Sequence, residues 1–152
     1  MTALAILGLG SPFGDDRAGW AAAQACMTAD WLRASHGAVR VECLDRPGLD
    51  LLERMAGAHR VVLVDAMRSG ATPGTVRRLG PEDLGRTALS STHGFGVGDA
   101  LALGRELGRL PAEIVLYGIE AERDHGEDLS PPVAAAITRV VWEIGAWVAG
   151  KD

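Results

Sequence analysis

Short apolar runs alternate with longer amphipathic stretches along this chain, and several of the runs end on a polar residue. Residues 3–9 are apolar throughout, as a strand covered on both faces requires. Residues 17–34 follow as a helix, with Asp15 and Asp16 available to cap its positive end. Residues 39–44 alternate Val39, Val41 and Cys43 with Arg40, Glu42 and Leu44, the period of a strand with one better-buried face. Residues 49–58 read as a short helix and 60–65 as a central strand, in which Val61-Val62-Leu63-Val64 deliver Asp65. After the turn Ala71-Thr72-Pro73-Gly74, residues 74–79 predict an edge strand whose charges suit an edge. Residues 94–107 read as a helix and 114–119 as a strand. Ile137, Val140, Val141, Ile144 and Val148 then recur at helical spacing behind Pro131 and Pro132. The alternation predicts one domain over residues 1–152. Its fold class is α/β: a three-layer α/β/α sandwich around a mostly parallel sheet with one antiparallel edge strand.

Composition narrows the function. With 152 residues and 47% hydrophobic content, the chain can bury a real core. A net charge of −5 argues against a nucleic-acid partner, which calls for a basic face; the pair Arg77-Arg78 reads as solvated edge charge. No apolar run approaches the roughly 20 residues that span a bilayer, and the start of the chain lacks the pattern of a signal peptide. Cys26 and Cys43 stand apart with no CxxC, so they read as buried, reduced thiols of a cytoplasmic protein.

Three segments carry chemistry. The opening strand runs into Gly8-Leu9-Gly10-Ser11-Pro12-Phe13-Gly14-Asp15-Asp16, the central strand ends on Asp65, and His93 lies in Ser90-Ser91-Thr92-His93-Gly94-Phe95-Gly96. In an open α/β sheet, strand ends and helix starts meet in one crevice, where ligands bind. Two carboxylates and an imidazole there form an incomplete coordination sphere for a transition metal. Asp15 and Asp16 point in different directions, so one can cap a helix while the other faces the crevice. Asp65 needs a cationic or hydrogen-bonding neighbour, because a carboxylate buried alone costs several kcal/mol. His36, His59 and His125 read as surface residues.

Gly8-Leu9-Gly10 also invites a dinucleotide-binding reading. Position 13 is Phe rather than the third glycine, and Asp45 lies further on than the ~20 residues at which a ribose-binding acid falls. Glycines that let the chain turn sharply into the first helix explain the pair equally well. No GxSxG elbow, no HExxH helix and no cysteine–histidine pair is present, so the standard protease devices are absent.

Together these segments resemble the nickel–iron hydrogenase maturation endopeptidases. The resemblance lies in Gly8-Leu9-Gly10-Ser11 with Asp15-Asp16-Arg17-Ala18-Gly19, in residues 61–65 with Pro73-Gly74, in Ser91-Thr92-His93 with Gly98-Asp99-Ala100-Leu101, and in Tyr117-Gly118-Ile119-Glu120 with Glu122. It implies that Asp16, Asp65 and His93 contact a metal and take part in cleavage. It further implies removal of a C-terminal extension from the hydrogenase large-subunit precursor, with nickel carried by that substrate and no organic cofactor. Ser11 stands where asparagine is usual, Arg17 where glycine is common, and the loop before the acids is one residue short. The short loop leaves Asp15 and Asp16 as alternatives for the metal-facing acid. A non-catalytic nickel-recognition or scaffold protein uses the same three residues without cleavage.

Overall fold

The computed structural model describes residues 2–80, 82–83, 96–122 and 126–150. The elements are β1 (Thr2–Gly10), a 3-10 turn (Gly14–Arg17), α1 (Ala18–Met27), α2 (Asp30–Arg33), β2 (Val39–Asp45), α3 (Asp50–Met55), β3 (Ala58–Met67), β4 (Val76–Leu79), α4 (Val97–Glu106), β5 (Glu113–Glu120) and α5 (Pro131–Val148). They build a five-stranded sheet in the order β2-β1-β3-β5-β4. All pairings are parallel except that of β4 with β5, which is antiparallel. The expected mostly parallel sheet with one antiparallel edge is therefore what the chain forms.

Alternation along the central strands splits the core in two. Ile6, Val62, Val64 and Ile119 pack with Ala18, Ala22 and Cys26 of α1 and with Val133, Val140 and Ile144 of α5. On the opposite face, Leu7, Leu9, Val61, Leu63 and Leu116 pack with Leu51, Leu52 and Met55 of α3 and with Ala100 and Leu101 of α4. Residues inside β1 and β3 are buried from both sides, which accounts for their uninterrupted apolar runs.

Several boundaries differ from the sequence reading. The helix expected over 17–34 is broken into three pieces: Ala29 is extended (ψ 143°), and the Thr28 hydroxyl bonds back to the Ala25 carbonyl at 3.1 Å. That side-chain bond competes with helix propagation. β3 continues two residues beyond Asp65, because β5 pairs with it as far as Met67. Asp65 thus lies inside the strand, and its parity with Val61 and Leu63 aims it toward the α3/α4 layer. α4 starts at Val97, with the Asp99 carboxylate accepting from the Gly96 N–H at 3.0 Å. Residues 94 and 95 lie outside the described residues.

The crossovers set the position of the site. β1 leads through α1 to β2 on one side, whereas β3 lies on the other side of β1. The strand order therefore reverses at β1/β3, and the crevice outside their C-terminal ends is the topological switch point where open α/β sheets take ligands.

Candidate active site

Close backbone approach builds the β1 side of the crevice. Gly8 and Gly19 let α1 press onto the sheet: a methyl group on Gly19 would collide with the Leu9 and Val64 carbonyls. Gly10 has φ 143°, with the Asp16 carbonyl packed where a side chain would stand. That carbonyl accepts from the Ser11 N–H at 3.1 Å. The glycine pair thus folds β1 tightly into the 3-10 turn, the structural reading that competed with dinucleotide binding.

The two adjacent acids at this turn have different surroundings. Asp15 is buried (4% exposed). Its carboxylate accepts from the Glu122 N–H at 2.7 Å, the Ser130 N–H at 2.8 Å and the Ser130 hydroxyl at 2.7 Å. It joins the turn to the segment after β5 and to the residue before α5. Asp16 is half-exposed, and its Oδ1 lies 2.9 Å from the Arg68 guanidinium. Neither side chain caps the turn or α1, so the capping expected of them is absent. Asp15 holds other parts of the chain together, while Asp16 faces the end of β3.

Asp65 is buried at 4% exposure, and its Oδ1 accepts from the Ala66 N–H at 2.9 Å. This supplies a hydrogen-bonding neighbour of the kind its burial demands. His93, with Ser91 and Thr92, lies outside the described residues; the helix that follows it, α4, covers the face toward which Asp65 points. Among the described residues, no three His, Cys, Asp or Glu side chains stand together as a metal-holding group. Asp16 and Asp65 nonetheless offer hard oxygen donors of the right charge, and Asp16 already accommodates a cation.

The sequence reading did not pick out Arg68 or a role for Glu120 at the mouth of the crevice. Glu120, at the end of β5, is 3% exposed. Its carboxylate accepts from the Ser69 N–H, the Ser69 hydroxyl (2.6 Å) and the Gly70 N–H. These bonds pin the chain directly after Arg68. A cavity of 260 Å³ lined by Arg68, Gly70, Ala71, Pro73, Glu120 and Ala121 opens beside it. On the other side, the Arg17 Nε is buried with no hydrogen-bond partner among the described residues. The only hint in sequence was an acid closing an apolar strand; its partners lie about fifty residues away.

A family model described as hydrogenase maturation protease matches residues 46–147. This chain belongs to the hydrogenase maturation protease family. The match spans β3, α4, β5 and most of α5, and therefore the Asp65 and Glu120 sides of the crevice. Over 143 residues the chain is 28% identical to the hydrogenase expression/formation protein HupD of Thiocapsa roseopersicina, covering 90% of this chain and 63% of that protein. The chain thus spans less than two thirds of the length of the curated relatives it matches, 52% for HupD of Rhodobacter capsulatus. The hydrogenase maturating endopeptidase HybD from E. coli shares the fold, with a TM-score of 0.79 at 24% identity over 99% of this chain and 93% of that one. The [NiFe] hydrogenase maturation protease HybD from Thermococcus kodakarensis aligns with a TM-score of 0.67 at 26% identity, covering 97% and 99%. These solved structures share the fold over nearly the whole of this chain.

Proposed function

We propose that this chain is an endopeptidase that removes a C-terminal extension from the nickel-loaded large subunit of a nickel–iron hydrogenase. The observation that carries the reading is the family match together with two carboxylates, Asp16 and Asp65, on the segments that border the switch-point crevice. Asp16, Asp65 and His93 are the residues we assign to the substrate's nickel. Two carboxylates and one imidazole hold a metal weakly by themselves and suit one already ligated by another protein.

In this reading the nickel is part of the substrate and serves as its handle; when engaged it would also polarise a neighbouring carbonyl. The chain's own task is to set the precursor's tail against the crevice. A carboxylate, Asp16 or Asp65, accepts a proton from the attacking water as its oxygen adds to the scissile carbonyl. The C–N bond then breaks, and the proton passes to the departing amine, leaving a new C-terminal carboxylate on the mature subunit. Asp65 is the better shielded of the two, whereas Asp16 is open to solvent and to the incoming substrate.

The deciding experiment offers the purified protein three substrates: nickel-loaded precursor, nickel-free precursor and the isolated tail peptide. Only the first should be cleaved, because positioning by the metal is worth several kcal/mol. Equal cleavage of all three would refute metal-gated recognition. Binding of loaded precursor without release of a peptide would make the protein a recognition scaffold instead.

A further inference from the structure

An ion pair between Arg68 and Asp16 stands beside the crevice. It joins the residue directly after β3 to the turn after β1, with Nη2 2.9 Å from Oδ1. The two side chains keep 41% and 44% of their surface exposed, so the pair is open to water and readily broken. The base of Arg68 is the opposite: the next two residues are pinned to the buried Glu120 carboxylate by their backbone N–H groups and the Ser69 hydroxyl. A fixed base and a solvent-facing head make Arg68 a side chain that can swing without disturbing the fold. The space to receive it is the 260 Å³ cavity, which has Glu120 on its wall.

We propose that Arg68 is a specificity-determining residue: it serves Asp16 as an internal counter-cation, so a metal ion that binds that carboxylate competes with the guanidinium. This deepens the function proposed above and rests on it. A free divalent ion must overcome the ion pair with its own coordination energy alone. A metal carried by a docked precursor has the precursor's other contacts to help, so the pair biases the site toward metal that arrives with protein. Asp16 is then kept from filling with stray ions between turnovers.

The test is calorimetric titration of the protein with nickel ion alone, which requires no cleavage. Arg68→Gln should bind nickel roughly two- to five-fold more tightly than the unsubstituted protein, the range an exposed ion pair supports. Arg68→Lys should stay near the original affinity, because it retains the cation. In an Asp16→Asn background, Arg68→Gln should give a much smaller gain, since the competing pair is already gone. An Arg68→Gln affinity equal to or below the original, including no detectable binding by either protein, overturns the proposal. The same gain with and without Asp16 also overturns it, by showing a general charge effect. Thermal melts confirm that each variant is folded. Failure of the underlying functional reading would show elsewhere, as nickel-loaded precursor left intact by the unsubstituted protein whatever the titrations give.

Discussion

The Asp15 carboxylate accepts a 2.7 Å hydrogen bond from the Ser130 hydroxyl, across 115 residues of sequence. With the Ser130 and Glu122 N–H groups it completes a buried knot between the turn after β1 and the start of α5. Among the described residues, the carboxylate of its neighbour Asp16 pairs with Arg68, at the surface. Adjacent acids therefore answer to different substitutions. Asp15→Ala removes the acceptor of two buried donors and one part-buried donor and should lower stability by about 2–4 kcal/mol in urea unfolding. Asp16→Asn should cost no more than about 1 kcal/mol, yet reduce cleavage of nickel-loaded precursor by about two orders of magnitude. A reversed pattern would make Asp15 the substrate-facing acid.

Gly19 should tolerate no side chain. In Gly19→Ala the added methyl meets the Leu9 and Val64 carbonyls, which are sheet backbone and cannot move aside. We expect a loss of about 3 kcal/mol or more, visible in thermal melts as a large drop in midpoint or as insoluble protein. Gly37→Ala, with open space around it but φ 82°, should cost less. A loss at Gly19 no larger than that at Gly37 would refute the close approach of α1 as the constraint on Gly19.

Glu120→Ala should loosen the chain after β3 while leaving the sheet intact. The substitution frees the Ser69 and Gly70 N–H groups and the Ser69 hydroxyl from their common acceptor. Amide exchange at Ser69 and Gly70 should accelerate, while Val62 and Val64 in the sheet core keep their protection. Unfolding should become easier by about 2–3 kcal/mol. Unchanged exchange at Ser69 would show that the Ala121–Met67 backbone bond, at 2.9 Å, holds the turn unaided.

Burial gives the protein a particular alkaline limit. The Cys26 thiol, fully enclosed between α1 and the sheet, is pushed by desolvation from its ordinary 9.0 up to about 12. Below pH 9 both folded and unfolded chains hold the proton, so the burial is fully favourable. Above it the unfolded chain ionises while the folded one does not, and stability should fall by about 1.4 kcal/mol per pH unit until about pH 12. Urea unfolding of Cys26→Ala between pH 8.5 and 10.5 should show a shallower decline than the parent. Parallel declines would refute this origin.

What the sequence determined by itself was the order of layers and the strand runs that carry the site. Strands buried on both faces must be continuously apolar, so β1 and β3 announced themselves, and with them Asp65 as an acid that cannot be surface decoration. The parallel sheet followed from helices falling between those strands. The family was legible too, because its motifs lie within short segments whose local geometry they dictate. Tertiary structure decided what surrounds each residue at the crevice. Asp15 and Asp16 are neighbours of one chemistry, and only the approach of Ser130 to the first and Arg68 to the second separates them. Arg68 left no periodic or local trace and Glu120 only that of an acid closing an apolar strand, since their partners Asp16 and Ser69 lie 52 and 51 residues away. Local signals encode elements; a site made of ends from β1, β3 and β5 exists only once the sheet has brought those ends together.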